Sequence, residues 1–359
     1  MDRMSAASFP DRQRVSFVAA ADGTRIAVAD MGRGKTVLKA GNWLSHISHD
    51  EESPIWRHWL HALSKNHRFV RYDLRGCGLS DRDVADISFE AWLSDLEAVA
   101  ETIDGPVTLL GLSQGCALSI AFALRHPEKV ERLVLIGAYA QGMLARSDNT
   151  NTRLEAETLA NLVQLGWGKD VPAFNQVFTN LFVPSGKSEH HRWWRRLERE
   201  SVSADTALRI LDVLHRIDVL ADAGNLKVPT LILHAKHDAR IPFDEGRRLA
   251  AVIEDAQFVP LESANHILLE AEPAWQVFLA AFEAFMPEIS ASDPINASHH
   301  LTDAEAEVVA LVAKGLGNQE IASALGKSEK TVRNQITVAL DKVGVRSRSE
   351  LIVKILSDG

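Results

Sequence analysis

Hydrophobic and polar positions follow two alternating patterns over roughly the first 138 residues. Short runs with strand-like alternation are followed by longer runs with helical spacing. The predicted strands are Arg14–Ala20, Arg25–Asp30, Thr36–Ala40, Arg68–Asp73, Val107–Leu110 and Arg132–Gly137. The predicted helices are Ile55–Lys65, Phe89–Ile103 and Gln114–Arg125. Strands that alternate with helices predict a mostly parallel sheet with helices on both faces.

The pattern changes between residues 141 and 224, where no strand is evident. This stretch is polar, carries Trp167, Trp193 and Trp194, and is predicted to be a helical insertion. The alternation then returns with Thr230–His234, Glu245–Ile253, Ala256–Leu261 and Pro273–Phe285. We therefore expect the sheet to resume after the insertion.

Residues 287–300 (PEISASDPINASHH) have no hydrophobic period and are rich in Pro, Ser, Asn and Asp, which predicts a linker. Residues 301–359 have helical spacing throughout and predict a small unit of four helices. Thr302 and Glu305 are spaced as a capping box at the start of its first helix. The sequence therefore predicts two domains, residues 1–286 and 301–359.

The chain has 359 residues, of which 46% are apolar and 24% charged, and its net charge is −9. Taken whole, this acidity argues against a nucleic-acid partner. However, residues 1–298 hold 31 basic and 40 acidic residues, whereas residues 299–359 hold eight of each. Residues 327–348 contain six basic and two acidic residues. The C-terminal unit therefore has the local positive charge that binding to DNA requires.

The longest apolar runs, including Ala117–Leu124 and Leu133–Ala138, are far shorter than the ~18 residues that cross a bilayer. The first residues are charged and interrupted by Pro10, unlike a secretory signal. Cys77 and Cys116 are too few for a disulfide framework. We expect a cytoplasmic protein without a membrane partner.

Gly111-Leu112-Ser113-Gln114-Gly115 matches G-x-S-x-G between a predicted strand and a predicted helix. This context is that of a nucleophile elbow, in which glycines allow a sharp turn and leave the serine uncrowded. Ser113 is therefore the candidate nucleophile. The backbone N–H of Gln114 is a candidate donor to an oxyanion.

A serine nucleophile needs a base, and the base needs an orienting acid. Asp238 lies just beyond the predicted strand Thr230–His234, and His266 lies in the loop after Ala256–Leu261. The order Ser113, Asp238, His266, with each residue following a strand, predicts a catalytic triad.

Residues 14–286 resemble the α/β-hydrolase superfamily in the segment RYDLRGCGLSD (71–81), in the elbow and in the order of the triad. The resemblance implies an α/β-hydrolase fold with a helical lid at about 141–224. A serine nucleophile implies ester, lactone or thioester chemistry. The segment NWLSH (42–46) also resembles hydrolase-like domains that are fused to signalling modules.

One departure affects the second oxyanion donor. The superfamily usually carries His-Gly after the third strand, whereas this chain has Ala40-Gly41-Asn42-Trp43. The N–H of Asn42 or Trp43 can still donate, but a badly aimed donor would cost about 10²–10³ in rate. The sequence therefore leaves open both turnover and binding without turnover.

His46 near the oxyanion loop and Trp193 or Trp194 in the insertion are the candidate ligand-pocket residues. Aromatic residues in a lid imply a mainly apolar ligand. Five histidines between residues 46 and 67 suggest a metal site as an alternative, but no carboxylate or thiol pattern completes a ligand set. We expect neither a metal nor a cofactor.

Residues 301–355 resemble the LuxR/GerE helix-turn-helix domain. The matching positions include Asn318–Ala322, Ser328, Thr331, Val332 and Arg348. The apolar period agrees, because Val332, Ile336 and Leu340 give the third helix one buried face and leave its other face free. The resemblance implies that this helix reads the major groove of DNA.

The same resemblance implies the DNA contacts. The base-reading residues would be Arg333, Asn334 and Thr337. The phosphate contacts would be Lys330, Thr331, Lys342 and Arg348. Because domains of this type usually bind paired half-sites about 34 Å apart, we expect a homodimer.

Two functions follow from the two resemblances. The first is a ligand-responsive transcriptional regulator, whose partners are double-stranded DNA and a small, mainly apolar ester- or lactone-like molecule. The alternative is a serine hydrolase, an esterase or lactonase, that could degrade its own inducer.

Overall fold

The computed structural model of the chain describes residues 13–147, 149–169, 172–286 and 301–358. The chain divides into two compact units, of which the larger ends at Met286 and the smaller contains residues 301–358. The predicted linker, 287–300, lies outside the described residues, and the predicted domain boundaries stay predictions.

The larger unit is built on an eight-stranded sheet. Its strands are β1 (Arg14–Ala19), β2 (Arg25–Met31), β3 (Thr36–Lys39), β4 (Arg68–Tyr72), β5 (Val107–Leu112), β6 (Val130–Ile136), β7 (Thr230–Ala235) and β8 (Gln257–Leu261). Their order is β1-β2-β4-β3-β5-β6-β7-β8. The β1–β2 and β2–β4 pairs are antiparallel, and the other five pairs are parallel. The prediction of a mostly parallel sheet is confirmed.

Helices connect the strands and fill the insertion. They are α1 (Arg57–Asn66), α2 (Phe89–Glu101), α3 (Gln114–Arg125), α4 (Met143–Arg146), α5 (Thr150–Gly166), α6 (Pro172–Phe182), α7 (Ser188–Ser201), α8 (Ala204–Arg216), α9 (Leu220–Ala223), α10 (Phe243–Val252) and α11 (Pro273–Phe285). Helices α4 to α9 lie between β6 and β7, and no strand interrupts them in the described part of this stretch. We refer to α4–α9 as the lid helices.

The central strands are buried over their whole length. Every residue of β5 and β7 is buried, whereas β1 at the sheet edge is exposed at almost every position. A parallel strand that is covered on both faces has a continuous apolar sequence, such as Thr230–Ala235. This burial fixes the carboxyl ends of the central strands, where ligands bind in open α/β sheets.

The smaller unit consists of α12 (Asp303–Ala313), α13 (Asn318–Leu325), α14 (Glu329–Val343) and α15 (Arg348–Asp358). Val308, Ile321, Val332 and Leu351, one from each helix, are fully buried in its core. The capping box forms, since the N–H of Thr302 donates to Glu305 Oε2 at 2.8 Å. The prediction of a four-helix unit is confirmed. Over the ranges that the structure describes, neither unit has a helix long and apolar enough to cross a membrane.

Candidate functional site

Ser113 lies in the sharp turn between β5 and α3, in a backbone conformation that side chains rarely adopt. Its φ is 56° and its ψ is −124°. The turn is held because the N–H of Ser113 donates to the carbonyl of Ile136 at 3.0 Å and its own carbonyl accepts from Cys116. A strained backbone conformation of this kind persists only where the surrounding hydrogen bonds and packing hold it in place, as in a nucleophile elbow.

The two glycines of the motif are required by close packing. A Cβ atom at Gly111 would lie 2.7 Å from the Cα of Cys116, and one at Gly115 would lie 3.2 Å from the carbonyl oxygen of Gly41. The G-x-S-x-G pattern therefore reflects a turn in which β3, β5 and α3 approach one another closely.

Asp238 and His266 form a buried hydrogen-bonded pair. Asp238 follows β7, His266 follows β8, and His266 Nδ1 lies 2.7 Å from Asp238 Oδ2. Both side chains are fully buried. The other carboxylate oxygen, Oδ1, accepts from the backbone N–H groups of Arg240 and Ile241 at 2.8 and 2.9 Å. The carboxylate therefore fixes both its own loop and the imidazole.

The electrostatics of the pair favour an ionised Asp238. Burial alone would raise the pKa of this carboxyl, but the charge and hydrogen bond of His266, with the N–H of Ile241, hold the pKa below its ordinary value. By accepting the hydrogen bond from Nδ1, the carboxylate orients the imidazole ring and leaves Nε2 as the nitrogen that is not engaged with Asp238.

The bond between serine and histidine is not formed. His266 Nε2 is buried and, within the residues that the structure describes, has no hydrogen-bond partner, so Ser113 Oγ is not bonded to it. Bonds of this kind commonly tighten only when a substrate is in place. The structure thus pairs Asp238 with His266 and places Ser113 at a pocket, without a hydrogen bond between Ser113 and His266.

Gly137 packs against the candidate pair and was not among the residues predicted from the sequence. It directly follows β6, has a φ of 56°, and a Cβ there would lie 2.7 Å from His266 Cε1 and 3.6 Å from Asp238 Oδ2. Only glycine leaves space for the imidazole. A glycine directly after a buried central strand was the available signal.

The candidate oxyanion donors separate into two groups. Gln114 and Trp43 both line the pocket beside Ser113. The N–H of Gln114 is in the first turn of α3, where N–H groups lack intrahelical acceptors. Asn42 instead lines a second, smaller cavity, where its side chain accepts from Lys39 and donates to the carbonyl of Trp43. Of the two candidates after β3, Trp43 is the one placed at Ser113.

The pocket at Ser113 is narrow and mainly apolar on the lid side. Its polar lining residues are Ser113, Gln114, Gln141, Arg146, His215 and Arg240. The lid helices contribute Met143, Leu159, Phe178, Leu181, Phe182, Leu211 and Leu214. Its volume is about 30 Å³, enough for only one or two water molecules. Both polar atoms of the Gln114 side chain are buried without a hydrogen-bond partner in the described chain. Two polar side-chain atoms without a hydrogen-bond partner among the described residues therefore lie beside the candidate nucleophile.

Three predicted pocket residues lie elsewhere. His46 is stacked on His49 with ring centroids 3.9 Å apart, and burial lowers its pKa to about 4. Trp194 is packed behind Phe182 and donates through Nε1 to Glu198 at 3.0 Å. Trp193 is buried but does not line the pocket described above. Phe182, which lies edge-on to His266, lines the pocket, whereas neither tryptophan does.

The candidate DNA-binding residues on α14 share one exposed face. Val332 and Ile336 are buried beneath it, as the apolar period predicts. The exposed members are Lys330, Thr331, Arg333, Asn334 and Thr337. Ser328 caps the helix by accepting from the N–H of Thr331 at 3.1 Å. The fold therefore brings these five residues together.

Lys342 and Arg348 are engaged within the smaller unit. Lys342 Nζ lies 2.7 Å from the capping carboxylate of Glu305. Arg348 donates to Asn318 Oδ1 at 2.8 Å and to the carbonyl of Leu316. Both side chains connect helices of the unit, and a phosphate contact by either would compete with these bonds.

The histidines between residues 46 and 67 do not converge. His58 lies 3.1 Å from the carbonyl oxygen of Leu268, and His67 packs against Phe282. A search of the described residues finds no group of three His, Cys, Asp or Glu side chains that could hold a metal ion.

Fold and site together define a hydrolase-like domain followed by a helix-turn-helix domain, and family models agree. The model described as "alpha/beta hydrolase fold" matches residues 48–273, and the chain belongs to this family. The model described as "Bacterial regulatory proteins, luxR family" matches residues 299–355. The chain is therefore a fusion of the two domains, as the resemblances implied.

Curated relatives and solved structures resemble the larger domain. The chain is 26% identical over 243 residues to the AB hydrolase superfamily protein YisY of Bacillus subtilis, which covers 67% of this chain and 87% of that protein. It is 29% identical over 232 residues to a 2-hydroxy-6-oxo-2,4-heptadienoate hydrolase of Pseudomonas putida, covering 59% and 76%. An esterase from Exiguobacterium antarcticum superposes with a TM-score of 0.65 at 23% identity, covering 76% and 99%. The structural likeness establishes the fold.

Proposed function

We propose that the protein is a ligand-responsive transcriptional regulator that acts on DNA in the cytoplasm. The observation that carries the proposal is the pairing of two parts in one chain: a hydrolase-fold pocket and a luxR-family domain whose α14 exposes Arg333, Asn334 and Thr337 together. A DNA-binding domain has little use on a purely metabolic enzyme. The pocket then serves as the sensor and α14 as the output.

The sensed molecule is proposed to be a small ester or lactone with a largely apolar body. Seven apolar side chains from the lid helices support this, as does the placement of Ser113, Gln114 and Trp43 where a carbonyl would lie. The volume of about 30 Å³ cannot hold such a molecule. Binding therefore requires the lid helices to move, which supplies the conformational change that a sensor needs.

Output is proposed to occur through a homodimer on paired half-sites about 34 Å apart. A ligand that favours one lid position would change the equilibrium between DNA-competent and incompetent dimers. A coupling of about 1–3 kcal/mol is enough for a 5–150-fold change in affinity for DNA.

Fluorescence anisotropy and footprinting with the purified full chain test this proposal. We expect sequence-specific binding that changes in affinity when candidate esters or lactones are added. Binding that is equal on all sequences, with and without these compounds, would overturn the regulator proposal.

A second function, slow serine hydrolysis, is favoured by the hydrogen-bonded pair of Asp238 and His266. In this proposal His266 Nε2 takes the proton of Ser113 as Oγ bonds to the ester carbon. The N–H groups of Gln114 and Trp43 stabilise the oxyanion. His266 then protonates the leaving alcohol, and water hydrolyses the acyl-enzyme by the same route. Such turnover would destroy the inducer and reset the sensor.

A fluorophosphonate probe tests the second function directly. Ser113 should be labelled, and Ser113→Ala should lose both labelling and turnover of p-nitrophenyl esters while its circular dichroism is unchanged. Equal labelling of wild type and Ser113→Ala would exclude Ser113 as the nucleophile. If neither protein is labelled, hydrolysis is excluded and the sensor proposal is tested by DNA binding alone.

A further inference from the structure

Two cavities adjoin at the candidate site, and their shared wall contains two arginines. The narrow pocket at Ser113 and a polar cavity of about 260 Å³ are both lined by Met143, Arg146 and Arg240. The polar cavity is also lined by Asp238 and Glu155. Both arginines therefore line the narrow pocket at Ser113 as well as the larger polar cavity.

The charges of Asp238 and Glu155 act on Arg240, but among the described residues neither carboxylate forms an ion pair with its guanidinium. In the part of the chain that the structure describes, its guanidinium makes no hydrogen bond, ion pair or aromatic contact, although its backbone N–H is held by Asp238 Oδ1 at 2.8 Å. The side chain is half-buried. Burial, with the nearby charge of Arg146, lowers the pKa of Arg240, and the surrounding carboxylates do not offset this. A half-buried, unpaired guanidinium is costly unless something pairs with it.

The carboxylates near Arg240 are either hydrogen-bonded or ion-paired to other residues, or exposed at the edge of the cavity. Asp238 uses Oδ2 for His266 and Oδ1 for two backbone N–H groups. Glu245 lies 3.3 Å from Arg248 and 3.6 Å from Arg146. Glu155 is exposed. Arg146 is thus only partly compensated, and its Nη1 atom is buried without a hydrogen bond.

We propose that the ligand carries a carboxylate, bound by Arg240 with Arg146 beside it, in addition to the carbonyl that is placed at Ser113. This inference rests on the proposed function of the pocket and names its ligand class: a small ester or lactone with an apolar body and an anionic end. A guanidinium pairs with a carboxylate through two parallel hydrogen bonds, which fixes the orientation of the ligand as well as its charge. The backbone bond from Arg240 to Asp238 positions this anchor relative to the catalytic pair.

Two esters that differ only in the charge of the acyl chain test the proposal. The probes are 4-nitrophenyl pentanoate and the mono-4-nitrophenyl ester of glutaric acid. Wild type should prefer the anionic ester by at least tenfold in kcat/KM. Arg240→Gln should lose that preference, measured as the ratio of kcat/KM for the two esters with the same protein, and Arg240→Lys should retain part of it. The matched control is Arg247→Gln, an exposed arginine of α10 paired with Asp244, which should behave as wild type.

The outcomes separate this inference from the proposed function. Turnover of both esters without a preference that depends on Arg240 would overturn the carboxylate inference and leave hydrolysis standing. If neither ester is turned over, titration of the intrinsic tryptophan fluorescence of the full chain with pentanoate and pentanamide replaces the kinetic test. Tighter binding of pentanoate that Arg240→Gln abolishes would support the inference without catalysis, and equal binding of the two would overturn it.

Discussion

Glu198 shows how a single buried carboxyl can make the stability of the lid helices depend on pH. It lies on α7, is only 2% exposed, and accepts from Trp194 Nε1. Burial raises its pKa to about 8. Because the folded-state pKa lies above the ordinary value of 4.5, the folded protein holds this proton more tightly than the unfolded chain does. The stability associated with Glu198 is therefore present below pH 4.5 and is lost as the pH rises to about 8.

Replacement Glu198→Gln should remove this pH dependence, because glutamine keeps an acceptor for Trp194 and carries no charge. Each unit of pKa shift is worth about 1.4 kcal/mol, so above pH 8 we expect a gain in unfolding free energy of more than about 1 kcal/mol. Below pH 4.5 the two proteins should be equally stable. Urea unfolding followed across this range provides the measurement. The exposed Glu189→Gln on the same helix is the control, and a variant no more stable than wild type at pH 8.5 would contradict the account.

Gly137→Ala should disturb the catalytic pair without unfolding the domain. The added Cβ would contact His266, and the positive φ would add strain of about 1–3 kcal/mol. We expect at least a tenfold slower reaction of Ser113 with a fluorophosphonate. Gly105→Ala, which has a positive φ but no atom within 4 Å of the new Cβ, separates strain from contact. Equal loss of reactivity in both variants would exclude the proposed contact.

Some residues of the site could be predicted from sequence and others could not. Ser113, Asp238 and His266 each follow a strand, and their order along the chain can be recognised without knowing how the elements pack. The proposed role of Arg240 depends on whether the nearby carboxylates are already bonded to other residues. That is a property of the tertiary structure, which the sequence pattern does not reveal. Trp193 or Trp194 was expected to face the pocket from one side of an amphipathic helix, but Phe182 lines the pocket and Trp194 is stacked against Phe182.

Among the elements, α14 is clearly amphipathic, since Val332 and Ile336 are buried and the opposite face is exposed. Its period and its cap at Ser328 are local features, and both could be predicted from sequence. The lid helices were harder to predict, because amphipathic helices there pack on one another and an apolar period does not reveal which residues face a cavity.

Arg333→Ala should weaken specific DNA binding by about 1–3 kcal/mol and relax the preference at one base position. The ion pair of Arg333 with Glu329 at 3.0 Å is exposed and worth only about 0–1 kcal/mol, so it does not prevent contact with a base. Lys314→Ala removes one exposed charge at the end of α12 and is the control. Electrophoretic mobility shifts on matched and mutated sites provide the measurement. An equal loss for the two variants would indicate that Arg333 contributes only charge.

At the scale of the whole molecule, the acidity of the chain and its DNA-binding domain are compatible because they reside in different domains. The hydrolase-fold domain holds the excess of acidic residues, and residues 327–348 are locally basic. The lid helices line the pocket, so the proposed binding of a ligand would require them to move. In the proposed function, the hydrolase-fold domain acts as a sensor that changes on ligand binding, and a separate domain reads DNA.

Selection of DNA by the full-length protein from a random-sequence library tests the central claim most directly. The account predicts an enriched motif made of two related half-sites about one helical turn apart. Enrichment should be lost in Arg333→Ala and retained in Ser113→Ala, which keeps the pocket but not the nucleophile. Failure to enrich any motif, or a motif that Arg333→Ala selects equally well, would contradict the assignment of this protein as a DNA-binding regulator.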